Sequence, residues 1–262
     1  MDVVIVIPAR YGSSRFPGKP LAMIEGKSLV QRVYEIANSV EYVSQVIVAT
    51  DDERIADHVV ELGGNAVMTH DCYNGSERVW QVIEQMNDKP DIIINLQGDA
   101  VLTPPWTIQA VVDEMLANED VQVCTPAVRM TPPIYEKLME AKAAGEVGGT
   151  TVTFNKNHDA MYFSKTIIPF IRELESEDLP VFRHIGLYGY RYDALKDYLD
   201  MEPTILEQTE GLEQLRLLEN AIPIRVVEVA YDGRTHWAVD TPEDAQRAAA
   251  IIQEEGELIE CE

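Results

Sequence analysis

The sequence is poor in cysteine, and it has no long apolar run. Its 262 residues include three cysteines and no C-x-x-C pair, which is typical of a reducing compartment rather than of a disulfide framework or a zinc site. A membrane-spanning helix needs about 18 consecutive apolar residues, and no apolar stretch of this sequence is that long. The N-terminal segment carries Asp2 and only a short apolar run, which does not fit a secretory signal peptide. We therefore expect a cytoplasmic protein with no membrane partner.

Positive charge is also scarce. The chain has 21 Lys and Arg against 45 Asp and Glu, a formal net charge of -24, and this balance argues against nucleic acid as a partner. With 46% hydrophobic residues, a chain of this length can bury a large core. No Gly- or Ser-rich linker divides it, so residues 1–262 are predicted to form a single domain.

Strand and helix patterns alternate in the first half. Apolar runs rich in Val and Ile predict buried strands at residues 3–7, 45–49, 66–68 and 92–96. Helical spacing covers residues 29–37, and a second helix begins near Asp51 and ends at Gly63 and Gly64. This order predicts a doubly wound α/β sheet.

The second half is less regular. We expect strands at residues 150–154, 182–190 and 224–229, and helices at residues 205–220 and 242–254. The acidic residues 254–262 are predicted to be a frayed tail.

The loop after the first strand has the composition of a phosphate-binding nest. Residues 8–21 read PARYGSSRFPGKPL, with two glycines, two serines and three cations. Five residues separate Gly12 from Gly18, and Pro20 stands where a Walker A hydroxyl belongs, so this loop is not a P-loop. The dinucleotide fingerprint G-x-G-x-x-G is absent as well. A nucleotide is the first ligand to expect, and a solvated basic turn is the alternative.

Two aspartates are candidate metal ligands. Asp99 follows the fourth predicted strand in NLQGD, where Gly98 allows close approach of the backbone, and Asp240 follows an apolar stretch before a helix. Ligands of open α/β sheets bind where strands end, and Mg2+ takes few protein ligands and leaves the rest to water and phosphate. The alternatives are a turn cap for Asp99 and a helix N-cap for Asp240.

Three further segments carry polar groups. NGSER at residues 74–78 is a helix start, and His184 and Tyr188 share one face of a predicted strand, with His184 able to donate to an acid. Glu213 and Gln214 fall within the predicted helix 205–220, where they could be plain surface residues. His184 could equally be a structural histidine.

Taken together, these segments resemble the 3-deoxy-D-manno-octulosonate cytidylyltransferases, or CMP-Kdo synthetases, almost from end to end. The matching segments are PARYGSSRFPGKPL, ATDDERI, NGSER, NLQGD, MYFSKTIIPF, RHIGLYGYR, LEQLRLLE and VDTPED. The resemblance implies a nucleotide-diphospho-sugar transferase fold, a mixed and mostly parallel sheet with helices on both faces. It also implies transfer of CMP from CTP to the anomeric hydroxyl of Kdo, with release of pyrophosphate, in lipopolysaccharide or capsule biosynthesis. Mg2+ is the implied cofactor, and a homodimer the implied assembly.

The resemblance also assigns roles to residues. Residues 1–128 should mainly bind CTP, and residues 129–230 should mainly bind the sugar and form the dimer. Asp99 and Asp240 match the Mg2+ ligands and, with Lys19 and Arg10, the catalytic set. The nucleotide-binding positions are Arg10, Ser13, Lys19, Gly75, Ser76, Arg78 and Gln97. The sugar-binding positions are Lys165, His184, Tyr188, Glu213 and Gln214.

Three departures from the family pattern leave the acceptor open. Ala100 and Val101 stand where the family usually has Glu-Pro, Lys165 stands in place of an arginine, and residues 231–238 replace a short glycine-bearing turn. Lysine offers a point charge where arginine would grip a carboxylate with two hydrogen bonds. The acceptor can therefore be Kdo, 8-amino-Kdo or another acidic sugar such as a sialic or nonulosonic acid. A non-catalytic nucleotide-binding protein is the alternative of a different class.

Overall fold

The N-terminal half of the chain builds the parallel part of a ten-stranded mixed sheet. The computed structural model describes residues 1–13, 15–146, 148–172 and 179–259. In chain order the first elements are β1 (Val3–Pro8), the hairpin strands β2 (Met23–Ile24) and β3 (Lys27–Ser28), α1 (Leu29–Asn38), β4 (Gln45–Thr50), α2 (Glu53–Glu61), β5 (Asn65–Met68), α3 (Gly75–Gln85) and β6 (Ile92–Leu96). The parallel strands lie in the order β5-β4-β1-β6, with Ile5 opposite both Val46 and Ile94. All four strands predicted in this half are confirmed.

Side-chain caps begin the three crossover helices of this half. The Ser28 hydroxyl accepts from the N–H of Gln31 at the start of α1, and the Asp52 carboxylate accepts from the N–H of Arg54 at the start of α2. Asn74 caps α3 in the same way. These caps satisfy N–H groups that have no partner within the helix, and they fix where each connection leaves the sheet.

The second half extends the sheet with antiparallel strands. Its elements are α4 (Pro105–Ala117), β7 (Val123–Arg129), α5 (Pro132–Ala143), β8 (Thr151–Phe154), β9 (Ala160–Ser164), β10 (Phe182–His184), β11 (Leu187–Arg191), α6 (Tyr192–Asp200), α7 (Ile205–Glu210), α8 (Leu215–Glu219), β12 (Ile224–Val229) and α9 (Pro242–Glu255). The order continues β6-β11-β7-β10-β8-β9, and β12 pairs in parallel with β7. The antiparallel pairs join β11 to β6 and β7, β10 to β7 and β8, and β8 to β9.

Helices cover both faces of the sheet. One core contains Leu29 of α1, Ile108 of α4 and Ile252 of α9. The opposite core contains Val79 of α3 and Leu195 of α6. The predicted α/β class, a mixed sheet with helices on both faces, is confirmed. Within the described ranges, no helix combines the length and apolarity that crossing a membrane requires.

The predicted strand 182–190 and the predicted helix 205–220 are each interrupted. The strand breaks at Ile185 and Gly186 because its first part pairs with β7 and β8, whereas its second part lies between β6 and β7. The helix ends at Gly211, which adopts the left-handed φ of 61°, a conformation that favours glycine and terminates helices. Glu213 and Gln214 therefore lie in the break between α7 and α8, not on a continuous helical surface.

The C-terminal segment is anchored, contrary to the predicted fraying. The carboxylate of Glu257 pairs with the buried guanidinium of Arg32. Arg234 donates to the carbonyl oxygens of Glu255, Gly256 and Glu257. Two guanidinium groups thus hold the chain beyond α9, and the rest of the predicted tail, residues 260–262, lies outside the described residues.

Candidate active site

Lys19 joins three separate parts of the chain at the carboxyl end of the parallel strands. Its Nζ donates to the Val239 carbonyl oxygen at 2.8 Å and lies 3.1 Å from Asp99 Oδ2 and 3.4 Å from Asp240 Oδ1. The side chain of Lys19 is only 16% exposed. Two carboxylates and one ammonium predicted from distant segments are therefore brought into one cluster.

Gly98 permits the approach of the two loops that form this cluster. A Cβ placed at Gly98 would lie 2.5 Å from the carbonyl oxygen of Pro8, the last residue of β1. A backbone oxygen cannot yield as a flexible side chain can, so only glycine fits here. The close packing places Asp99 beside the loop that carries Lys19.

The Asp240 carboxylate belongs to the cluster and does not cap α9. The cap is Thr241, whose hydroxyl accepts from the N–H of Asp244, while the Asp244 carboxylate accepts from the N–H groups of Asp240 and Thr241. This reciprocal arrangement is a capping box. The Asp240 carboxylate instead contacts Lys19 and also lies 3.3 Å from an Arg15 guanidinium nitrogen.

The donor set at this cluster suits a magnesium ion. Asp99 and Asp240 supply two carboxylates near one point, which is the small number of protein ligands that Mg2+ uses beside phosphate. Over the described ranges, no group of three or more His, Cys, Asp or Glu residues forms a fuller metal cage. Ala100, next in the chain, adds no oxygen ligand from its side chain.

The first loop brings Arg15 and Lys19 to this cluster and also carries Arg10. Arg10 is exposed. The Ser13 hydroxyl accepts from the N–H of Phe16 at 3.3 Å, and the Gly18 N–H donates to the Tyr11 carbonyl oxygen at 3.0 Å. These contacts fold the loop back on itself, with Arg10 and Lys19 at its two ends.

Arg78 supports this loop from behind. Its guanidinium is buried, donates to the Thr69 hydroxyl and lies 3.0 Å from Asp51 Oδ2. The other oxygen of Asp51 accepts from the N–H of Tyr11 at 3.2 Å. Arg78 is thus connected to the first loop through Asp51, and its predicted role in nucleotide binding stays a prediction.

Ser76 and Glu213 connect the predicted nucleotide and sugar positions. The Ser76 hydroxyl donates to Glu213 Oε2 at 3.2 Å, and the Tyr198 hydroxyl donates to the same oxygen at 3.3 Å. Burial raises the pKa of the Glu213 carboxyl, and the two hydroxyl donors partly oppose that rise. Gly75, at the first position of α3, lies beside the Gln97 side chain.

His184 is buried and neutral, with Nε2 as its hydrogen-bond donor and Nδ1 as its acceptor. Its Nε2 lies 2.9 Å from the Thr125 hydroxyl, and that hydroxyl donates to the Leu187 carbonyl oxygen at 2.7 Å. Nε2 must therefore carry the proton, which leaves Nδ1 as an acceptor. Burial lowers the pKa of His184 to about 3. The expectation that His184 donates to an acid is wrong in this tautomer, because its one N–H is already used.

The other predicted sugar-binding residues are more dispersed. The Tyr188 ring lies 5.4 Å from that of His184, and burial raises the pKa of its hydroxyl well above its usual value. The Lys165 N–H donates to Glu210 Oε2 at 2.9 Å. The Gln214 Nε2 is buried without a partner among the described residues. Within that part of the chain, Lys165 and Gln214 make no hydrogen bond to another predicted site residue.

Sequence analysis missed three buried residues that organise the site. Asn95 and Thr125 lie inside strands, and Tyr198 lies on the buried face of α6. Each follows the pattern of a core position, so spacing gave no reason to select them. An asparagine in the middle of an otherwise apolar strand is the one available signal, since a buried amide requires partners.

Known proteins are similar to this chain over nearly its whole length. A family model described as cytidylyltransferase matches residues 4–225. The 3-deoxy-manno-octulosonate cytidylyltransferase of Maricaulis maris is 54% identical over 99% of this chain and 100% of its own length. The enzyme of that name from Chlamydia caviae is 41% identical over 94% of this chain and 92% of its own length.

Solved structures agree with these relatives. A CMP:2-keto-3-deoxy-manno-octonic acid synthetase complexed with CTP superposes with a TM-score of 0.86 at 39% identity, covering 97% of this chain and 100% of its own. A 4-diphosphocytidyl-2C-methyl-D-erythritol synthase from Anaerococcus prevotii, 13% identical with a TM-score of 0.60 over 96% of this chain and 98% of its own, shares the fold. The chain belongs to the cytidylyltransferase family, among the 3-deoxy-manno-octulosonate cytidylyltransferases.

Proposed function

We propose that this protein transfers CMP from CTP to the anomeric hydroxyl of 3-deoxy-D-manno-octulosonate or a close variant, and releases pyrophosphate. The observation that carries the proposal is the convergence of Lys19, Asp99 and Asp240 at the carboxyl end of the parallel strands. Ligands of open α/β sheets bind at this edge. The same edge carries the first loop with its cations.

The chemistry requires positioning and charge neutralisation more than covalent help. The anomeric hydroxyl loses its proton to solvent as its oxygen attacks the α-phosphorus in line, the bond from the α-phosphorus to the bridging oxygen of the β-phosphate breaks, and pyrophosphate leaves with that electron pair. Arg10 and Lys19 stabilise the charge on the departing pyrophosphate. Lys19 is already fixed by three oxygen acceptors, so little ordering is needed when the triphosphate binds.

Asp99 and Asp240 are the residues that would hold Mg2+. When bound, Mg2+ supplies charge neutralisation at phosphate oxygens and lowers the pKa of a coordinated hydroxyl. On the sugar side, Nδ1 of His184 accepts a hydrogen bond from a hydroxyl, and the free oxygen of Glu213 accepts another. Both groups are held by neighbours rather than by solvent.

We also propose a cytoplasmic homodimer formed by residues 129–230. β9 is the edge strand of the sheet. Six large apolar side chains among the described residues of this range are exposed: Ile134, Met139, Met161, Phe170, Ile205 and Leu206. Exposed apolar groups near an unpaired strand edge favour association between copies.

The acceptor is tested with a panel of acids. Purified protein is mixed with CTP and Mg2+ and then with Kdo, 8-amino-Kdo or a sialic acid, and pyrophosphate release is followed. We expect release with one of the two octulosonates at a kcat/KM clearly above that with sialic acid. Preference for sialic acid would favour a cytidylyltransferase for another acidic sugar. Binding of CTP without release for any acid would favour the non-catalytic alternative.

A further inference from the structure

A chain of buried and partly buried hydrogen bonds runs between the predicted nucleotide and sugar positions. The Gln97 amide donates to Asn95 Oδ1 at 3.4 Å, and Asn95 Nδ2 donates to the Ser76 hydroxyl at 3.2 Å. Ser76 in turn donates to Glu213 Oε2 at 3.2 Å. Four side chains from β6, the loop after it, α3 and the segment before α8 thus form one connected path.

The chemistry of the groups gives this path a direction. An amide NH2 can only donate, so the Ser76 oxygen accepts from Asn95, and its single proton is free to point to Glu213. Every bond therefore donates from the nucleotide side toward the sugar side. Hydrogen bonds aligned in this way polarise one another.

Tyr198 fixes the far end of the path. Its hydroxyl donates to the same Glu213 oxygen that Ser76 contacts. Arg216 lies over the Tyr198 ring, 4.6 Å from its centre, and the Arg216 guanidinium donates two hydrogen bonds to the Glu207 carboxylate, at 2.6 and 2.7 Å. Glu213 Oε2 is thus occupied by two donors, whereas its Oε1 makes no hydrogen bond to a described residue.

Burial makes the path stiff. Ser76, Asn95 and Tyr198 are all 0% exposed, so none of them can replace a lost partner with water. Glu213 itself is only partly buried, and among the described residues its Oε1 has no hydrogen-bond partner. A shift of the α3 start on nucleotide binding must therefore move the Glu213 carboxylate or break a buried hydrogen bond.

We propose that Asn95 and Tyr198 are positioning residues that couple the two subsites, so that nucleotide binding at the start of α3 sets the orientation of Glu213 Oε1 toward the acidic sugar. The inference rests on the proposed function, because it takes Ser76 as a nucleotide contact and Glu213 as a sugar contact. Coupling of this kind is reciprocal: CTP lowers the Kd of the sugar by the same factor by which the sugar lowers the Kd of CTP.

The coupling is measured without turnover. A 2-deoxy analogue of the octulosonate lacks the attacking hydroxyl, so its Kd can be determined by calorimetry with and without saturating CTP and Mg2+. For the unmodified protein we expect CTP to lower the Kd of the analogue by about fivefold or more. The factor is the ratio of the Kd without CTP to the Kd with CTP. In Tyr198→Phe, which removes one hydroxyl and keeps the ring, the factor should fall toward one, while the Kd of CTP alone changes by less than about twofold.

Three further variants make the test specific. Ser76→Ala removes the donor to Glu213 and should also abolish the factor, and Ser76→Ala combined with Tyr198→Phe should be no worse than Ser76→Ala alone. Tyr34→Phe is the matched control, because among the described residues the Tyr34 hydroxyl accepts a hydrogen bond only from the N–H of Asn65, on the parallel edge of the sheet. It should keep the full factor.

The outcomes separate the coupling from the function. If the unmodified protein releases pyrophosphate but CTP does not change the Kd of the analogue, the coupling is overturned and the proposed function stands. A full factor in both Tyr198→Phe and Ser76→Ala also overturns it. If the unmodified protein binds CTP but no octulosonate, the proposed function fails and the coupling fails with it.

Discussion

The ammonium of Lys19 lies 3.1 Å from a carboxylate oxygen of Asp99, although 80 residues separate them in the chain. The contact follows from topology: β1 and β6 are adjacent parallel strands, so their carboxyl ends deliver the two following loops to the same edge. The segment before α9 adds the Val239 carbonyl oxygen and the Asp240 carboxylate to the same ammonium.

Replacing Asp99 or Asp240 by Asn should reduce kcat by at least about a hundredfold. Each change removes a charge from the pair that would hold Mg2+, but it keeps the side-chain shape and one oxygen that can accept from Lys19. The melting temperature should stay within a few degrees of the unmodified protein. Asp113→Asn on α4 is the control and should be fully active, because in the described part of the chain the Asp113 carboxylate accepts a hydrogen bond only from Gln109. Near-normal turnover of either site variant would refute the metal assignment.

Gly98→Ala should lower the free energy of unfolding by about 1–3 kcal/mol. The added methyl group would lie 2.5 Å from the Pro8 carbonyl oxygen, so the two loops of the active site must separate. Urea denaturation measures the change. Gly12→Ala is the matched control in the same region, because a Cβ at Gly12 meets nothing within 4 Å. Equal stabilities of the two variants would show that the close approach is not required.

His184 should make the protein acid-sensitive. Burial lowers its pKa from 6.5 to about 3 in the folded state, so between these values the unfolded chain binds a proton that the folded chain does not. The stabilising effect is complete above pH 6.5 and is lost as the pH falls toward 3. The stability difference between the unmodified protein and His184→Gln, from urea midpoints at pH 8, 6 and 5, should change in favour of the variant as the pH falls. A difference that does not vary with pH would contradict the buried neutral state.

The contribution of Glu213 to folding stability should have the opposite pH dependence to that of His184. Its pKa is raised, chiefly by burial, with Glu207 adding to the rise and Ser76, Tyr198 and Arg216 opposing it. Just above the ordinary pKa of 4.5 the folded protein holds a proton that the unfolded chain has lost, so stability declines as the pH rises through this window.

Glu213→Gln removes the cost of burying an ionised carboxylate and retains an oxygen for the two hydroxyl donors. The variant should therefore be more thermostable than the unmodified protein at pH 8, with the gap closing toward pH 4. Thermal melts across this range provide the measurement. Lower stability of the variant at pH 8 would show that the ionised carboxylate is favoured in the fold.

The sequence predicted those features that depend on local pattern. Runs of Val and Ile gave the four parallel strands, and the ends of β1 and β6 gave the positions of Lys19 and Asp99. Sequence analysis did not find the break at Gly211, because one glycine in a helical pattern is compatible with either a continuous helix or its end. It also missed Asn95, Thr125 and Tyr198, since their partners are distant in the chain and only tertiary packing brings them together.

The most direct test of the account is the identity of the bond that breaks in CTP. Purified protein, CTP, Mg2+ and Kdo or 8-amino-Kdo are followed together by phosphorus NMR. We predict that the three triphosphate signals are replaced by one phosphodiester signal of a CMP-sugar and by pyrophosphate in equal amount. Formation of CDP and inorganic phosphate, of free CMP without a sugar ester, or of no product with either acid would contradict the account.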